Sequence, residues 1–142
     1  MKTVLQKFLC CGALAALLLS SGCDSEPVRV PKTTQTVTMM PDRQNPAIDI
    51  EVVTNLRIVL PGPDIGSDLV WEIVSNNTKV LDQTSSLKPV TPVPVGDKPT
   101  TTVTFYSQKP GKSVLRFVLV HPDQAESVPV SKCALAVRVN DD

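Results

Sequence analysis

From Pro46 onward the apolar residues fall on every second position, a beat that only strands buried on one face can use. Ile48, Ile50 and Val52 alternate with Asp49 and Glu51; Leu56, Ile58 and Leu60 flank Arg57; Leu69, Trp71 and Ile73 flank Glu72. The pattern returns in Val103 and Phe105, in Leu115, Phe117 and Leu119 around Arg116, and in Cys133, Leu135, Val137 and Val139 against Lys132 and Arg138. Pro61-Gly62-Pro63, Ser75-Asn76-Asn77 and Lys109-Pro110-Gly111 punctuate these runs as turns. All 13 prolines follow position 23, where each would interrupt a helix, and no helical stripe competes with the period of two. Short, evenly spaced strands with proline-rich turns predict an all-β, immunoglobulin-like antiparallel sandwich over residues 47–142.

The other end of the chain obeys different rules. Lys2 and Lys7 precede an apolar run from Phe8 to Leu19, and Ser20-Ser21-Gly22-Cys23 follows, so charge, apolar segment and small-residue cleavage site come in the order of a bacterial lipoprotein signal. A run of this length makes roughly 18 Å of helix against a hydrocarbon core of about 30 Å, too short to span. The expectation is a signal peptide over 1–22 and a lipidated Cys23, whose thioether-linked and amide-linked chains together supply the two anchors that stable membrane attachment needs. This places the protein in the bacterial cell envelope, lipid-anchored and facing the periplasm. Asp24 resembles the inner-membrane retention signal of enteric bacteria, and the choice between inner and outer membrane depends on the host.

Residues 23–46 read as the lipidated cysteine and an extended tether, with Pro27, Pro31, Pro41 and Pro46 set among polar residues. Within it Thr36-Val37-Thr38-Met39 is β-prone and suited to dock as a first strand, which would shorten the tether. Cys10 and Cys11 leave with the signal and Cys23 is consumed by lipid, so Cys133 has no intrachain partner and the fold rests on packing. Of the 14 basic residues, Lys2 and Lys7 precede Cys23, leaving 12 bases against 14 acids in the processed chain. A net charge of −2 gives no basic field overall and excludes a nucleic-acid partner.

The order of residues from Val53 to Leu81 and from Val95 to Val139 resembles the chagasin family of cysteine-peptidase inhibitors. The matching framework is Leu60-Pro61 before a first loop, Trp71 opening the next strand, Lys109-Pro110-Gly111 before Leu115-Arg116-Phe117, and a last strand of alternating valines. The resemblance implies a sandwich that presents three loops at one end, which enter the cleft of papain-like peptidases and block it without being cut. Carried onto this sequence, the loops are Gly62, Pro63, Asp64, Ile65, Gly66, Ser67, Asp68 and Leu69; then Gly96, Asp97, Lys98 and Pro99; then His121, Pro122, Asp123 and Gln124. Their chemistry departs from the family. Asn-Pro-Thr-Thr-Gly-Tyr is replaced by a longer loop that keeps Pro63 and Gly66; the second, glycine-rich loop keeps only Gly96; Arg-Pro-aromatic becomes His121-Pro122-Asp123.

Nothing in the chain assembles an enzyme. Cys133 shares its face with Leu135, Val137 and Val139 and reads as a core thiol, while His121, the single histidine, sits at a strand end before a proline. Phosphate loops, serine elbows and Cys/His clusters with metal spacing are missing from the sequence, so no cofactor is expected. Asp64, Asp68, Asp97 and Asp123 would gather at one apex in such a topology, a calcium-like set, but aspartate also suits turns for its own backbone geometry, and no metal is assigned. The run Lys88-Pro89-Val90-Thr91-Pro92-Val93-Pro94-Val95 reads as a stiff edge that resists further pairing. Two functions remain: a loop-based binder that inhibits papain-like cysteine peptidases by occluding the cleft, or a non-inhibitory immunoglobulin-like scaffold or adaptor in an envelope complex.

Overall fold

The computed structural model describes residues 30–124 and 128–142; the signal segment, Cys23 and the first part of the tether lie outside them. Nine strands follow in order: β1 (Thr33–Thr38), β2 (Ile48–Glu51), β3 (Thr54–Pro61), β4 (Val70–Ser75), β5 (Leu81–Gln83), β6 (Lys88–Pro89), β7 (Thr100–Ser107), β8 (Gly111–Val120) and β9 (Ser131–Asn140). They form two sheets, one ordered β1-β3-β7-β5 with β6 also on β7, the other ordered β2-β9-β8-β4.

The predicted alternation decides which side chains meet between the sheets. Leu56, Ile58 and Leu60 of β3 and Val103 and Phe105 of β7 are fully buried, and they share one core with Leu115, Phe117 and Leu119 of β8 and Cys133, Leu135, Val137 and Val139 of β9. Phe105 and Phe117 meet edge to face across the middle, ring centroids 6.5 Å apart, the arrangement that the ring quadrupoles favour. Cys133 lies opposite Phe117 on β9 and is 3% exposed, a core thiol as its register predicts. Burial pushes its pKa up to about 11, with the Asp42 carboxylate adding to the effect.

The sandwich is not wholly antiparallel, and here the expectation is corrected: β1 runs parallel to β3, and β2 parallel to β9. The reason lies in the path. β1 climbs to the end that we call the apex, residues 39–47 lead down to β2 on the opposite sheet, and β3 climbs again beside β1. With the descending strand in the other layer, two climbing strands become neighbours.

This path also revises the tether. The segment 23–46 is not extended linker from residue 33 onward: β1 pairs with β3 along six positions and Met39 enters the core at 2% exposure. Asn45 then ties the crossing segment down, its Oδ1 accepting from Met40 N–H at 2.7 Å while Nδ2 donates to the carbonyls of Met40 and, across to β9, Ala134. Docking wins over solvation because Met39 and the β1 backbone exchange water for apolar contact and a ladder.

The proline run also pairs more than expected. Lys88 and Pro89 add two residues to β7, opposite Thr102 and Thr101, before the prolines end the ladder.

Candidate functional site

Strands β3, β7 and β8 meet the loop regions at the apex, so the three predicted loops share one end of the sandwich. The first, residues 62–69, is built on its own stems. Trp71, buried at the start of β4, donates its indole N–H to the Pro61 carbonyl at 3.0 Å and thereby closes the loop across its base. Ser67 N–H reaches the Asp64 carbonyl and Leu69 N–H reaches Ser67 Oγ, which fold the tip into a tight turn. Leu69 packs against the core, whereas Asp64, Ile65, Gly66, Ser67 and Asp68 stand in solvent.

The second loop is fastened to the first. Gly62 N–H donates to the Pro99 carbonyl at 2.8 Å, and Thr101 Oγ1 donates to the Gly62 carbonyl at 2.8 Å, so the two loops share a seam. Gly96, Asp97 and Lys98 are exposed beyond it, on a turn closed by Asp97 N–H to the Pro94 carbonyl. The third loop joins through a side-chain pair: His121 Nδ1 lies 3.1 Å from Asp68 Oδ2. Pro122, Asp123 and Gln124 are exposed after it, with Gln124 N–H on the His121 carbonyl. Asp42 adds a fourth support, its carboxylate taking Ser131 Oγ–H and Lys132 N–H where β9 begins. All three predicted loops therefore come together, cross-braced at their stems and free at their tips.

The tips are not as polar as the motifs imply. Ile65 is 80% exposed, Val95 fully exposed and Val128 83% exposed, and Met40 and Val130 are exposed as well. Val95 and Val128 lie outside the predicted site. Val95 stands between Pro94 and Gly96 and Val128 stands before Pro129, and an apolar side chain beside a turn residue was the available signal. Two hollows of about 380 Å³ flank the first loop, one toward Leu87, Pro89 and Val93, the other toward Lys98, Leu119 and Val130.

The carboxylates do not combine. Asp68 is engaged with His121, and among the described residues no group of three or more His, Cys, Asp or Glu is placed to hold a metal ion. Cys133 sits in the core of the sheet and His121 beyond the apical end of β8, a placement that does not make a nucleophile and its base.

No family model matches the chain, and no curated protein does. Solved structures do match. The cysteine protease inhibitor EhICP2 from Entamoeba histolytica superposes with a TM-score of 0.61 over 76% of this chain and 96% of its own, at 12% identity. The fold is chagasin-like. The solution structure of amebosin superposes with a TM-score of 0.52 over 78% of this chain and 99% of its own, at 18% identity. The chagasin-like body thus accounts for nearly the whole of each neighbour, and at these identities the likeness is one of fold.

Proposed function

We propose that this chain is a lipid-anchored protein of the bacterial envelope, held through Cys23 and facing the periplasm, whose three apical loops bind a protein partner. The partner we assign is a papain-like cysteine peptidase, with the loops seated in its cleft. The observation that carries the reading is the seam at the apex: Gly62 to Pro99, Thr101 to Gly62 and Asp68 to His121 fix three loops relative to one another before any partner arrives. Loops already ordered lose little conformational freedom on binding, which lowers the cost of association. Ile65, Val95 and Val128 supply apolar area above those braced stems, ringed by polar residues. That a neighbour of the same fold is a cysteine protease inhibitor supports the choice of partner.

The adaptor reading is favoured by a different observation. The tips carry aliphatic side chains and aspartates, whereas binding hot spots are most often aromatic or arginine. One titration separates the two. The processed chain, residues 23–142, is titrated against papain and a cathepsin while residual activity is followed, and the chain is then checked for cleavage. Reversible inhibition lost on replacing residues 62–69 supports the inhibitor; an unaffected enzyme at micromolar protein directs the search to envelope partners recovered by crosslinking. Metabolic labelling with palmitate, present in the wild type and absent in Cys23→Ser, tests the anchor.

A further inference from the structure

One edge of the second sheet is open. β4 pairs with β8 alone, and β8 settles which of its backbone groups point out of the ladder. The Leu119 carbonyl accepts from Val130 N–H on the β9 side, so the groups of Val118 and Val120 turn to β4 and bond Glu72 and Val70, which lie opposite them. The N–H and C=O of Trp71 and Ile73 therefore point away from the sheet, and among the described residues no backbone hydrogen bond joins them to another segment. The other edges are guarded: β2 is four residues long with Asp49 and Glu51, β5 is three, β6 ends in Pro89, and β1 presents threonine and glutamine apart from Val37. β4 instead exposes Val70 and Val74, and a register shift between Ile73 and Ser75 ends its regular edge.

A hollow of about 380 Å³ adjoins this edge, between Val70 and Trp71 on one side and Leu87, Pro89 and Val90 of the facing sheet on the other, with Ile65 of the first loop also on its wall. A residue set opposite Trp71 in an added strand shares the face of Trp71, and its side chain enters this space. On the outer face Glu72 lies opposite Val118, beyond which stands Lys132, and Arg116 lies opposite Ser75. Among the described residues no cation comes within ion-pair distance of Glu72. Open amides, an apolar hollow on one face and an unpaired carboxylate on the other prescribe the strand that fits them: apolar, basic, apolar.

We propose that the free edge of β4 binds an extended segment of another protein as an antiparallel strand, with an apolar side chain opposite Trp71 in the hollow, a lysine or arginine opposite Glu72, and an apolar residue opposite Ile73. Main-chain bonds to Trp71 and Ile73 supply affinity, while the hollow and Glu72 supply selectivity. The register shift after Ile73 keeps the added strand short. The site lies on the flank of the sandwich beside the first loop rather than across the apex.

The probe is the peptide acetyl-Thr-Thr-Val-Lys-Leu-Thr-Thr-amide, titrated into the full chain carrying Cys23→Ser and followed by the emission of Trp71, the single tryptophan, with calorimetry as a second measure. Lying antiparallel, its valine falls opposite Ile73, its lysine opposite Glu72 and its leucine opposite Trp71. N-methylation of the valine and leucine, whose amides turn to β4, should weaken binding about tenfold or more, whereas N-methylation of the lysine, whose amide turns away, should leave it within about twofold. Glutamate in place of the peptide's lysine should weaken binding about fivefold, and Glu72→Lys should reverse that preference. Glu72 is exposed, and Trp71 emission on heating confirms that the variant is folded. Absence of a saturable signal, equal losses from the two methylations, or an unchanged preference in Glu72→Lys overturns the proposal. So does self-association that Val70→Lys with Glu72→Lys abolishes while the peptide leaves Trp71 unchanged, which makes a second copy of this chain the occupant. None of these outcomes depends on peptidase inhibition or on acylation at Cys23, so they fail separately.

Discussion

Replacing Ser107 by alanine removes one buried oxygen on which the turn between β2 and β3 depends. Ser107 is fully buried; its Oγ accepts from Thr54 N–H at 2.8 Å and donates to the Glu51 carbonyl at 2.7 Å. Between those partners Val53 is held at φ 65°, a left-handed conformation that a β-branched residue avoids. Ser107→Ala strands a buried donor and acceptor, which costs about 1–3 kcal/mol. Val53→Gly relieves about 1–2 kcal/mol of left-handed strain. It restores about 0.5–1 kcal/mol of unfolded-chain freedom, so its net effect is a small gain in stability. The two changes should be non-additive by about 0.5 kcal/mol or more, because the serine is what holds the valine in place. Equilibrium urea unfolding followed by the fluorescence of Trp71, the single tryptophan, measures all four corners of the cycle. A loss of about 2 kcal/mol in Ser107→Ala would be a large part of a domain's total of about 5–15 kcal/mol. The reasoning is refuted if Ser107→Ala unfolds within about 0.5 kcal/mol of the wild type, or if Val53→Gly is the more harmful of the two.

Cys133 should resist Ellman's reagent at pH 8 in the folded protein and react at once in urea, since burial raises its pKa from 9.0 to about 11. The sign for stability follows: the folded state keeps the thiol proton longer, so the contribution is intact below pH 9 and lost as pH climbs toward 11, and the stability gap between wild type and Cys133→Ala should narrow over that window. Asn45→Ala should cost about 1–3 kcal/mol in urea unfolding, because it strips Met40 N–H and the Met40 and Ala134 carbonyls of their side-chain partner. A chain starting at residue 47 should lose cooperative unfolding altogether, for want of β1 and Met39, whereas one starting at residue 30 should keep it. Ile65→Asp with Val95→Asp should leave the melting temperature within about 2 °C, both side chains being exposed, and abolish binding to whichever partner the apex takes.

The central strands were legible because their residues state their environment twice, by hydropathy and by period: Leu56, Ile58, Leu60 and Leu115, Phe117, Leu119 alternate with polar neighbours, and each is buried. Edges were less legible. In Thr33–Thr38 only the β-prone Thr36-Val37-Thr38 signalled a docked strand, because an edge strand with both faces open carries no alternation, and its place beside β3 is set by the ladder and by Met39 after it. The two-residue β6 was hidden for the opposite reason, since its prolines forbid most of the pairing that would reveal it. At the apex the motif positions indicated where the loops are but not how they are joined. The seam from Gly62 to Pro99 links residues 37 apart in sequence, and the pair His121–Asp68 links residues 53 apart.

Sequence by itself determined that this chain folds as an all-β sandwich, which side of each central strand turns inward, that Cys133 is a core thiol, and that its N-terminus carries the pattern of a lipoprotein signal. Those are local properties, written in the spacing of neighbours along the chain. The tertiary structure decided that β1 and β2 pair in parallel, that the chain belongs to the sandwich from residue 33 onward, that Ile65, Val95 and Val128 stand exposed in the apical loops, and that Lys112 faces Arg138 across β8 and β9. Each of these depends on which distant backbone lies alongside, and a period of two carries no record of its partner.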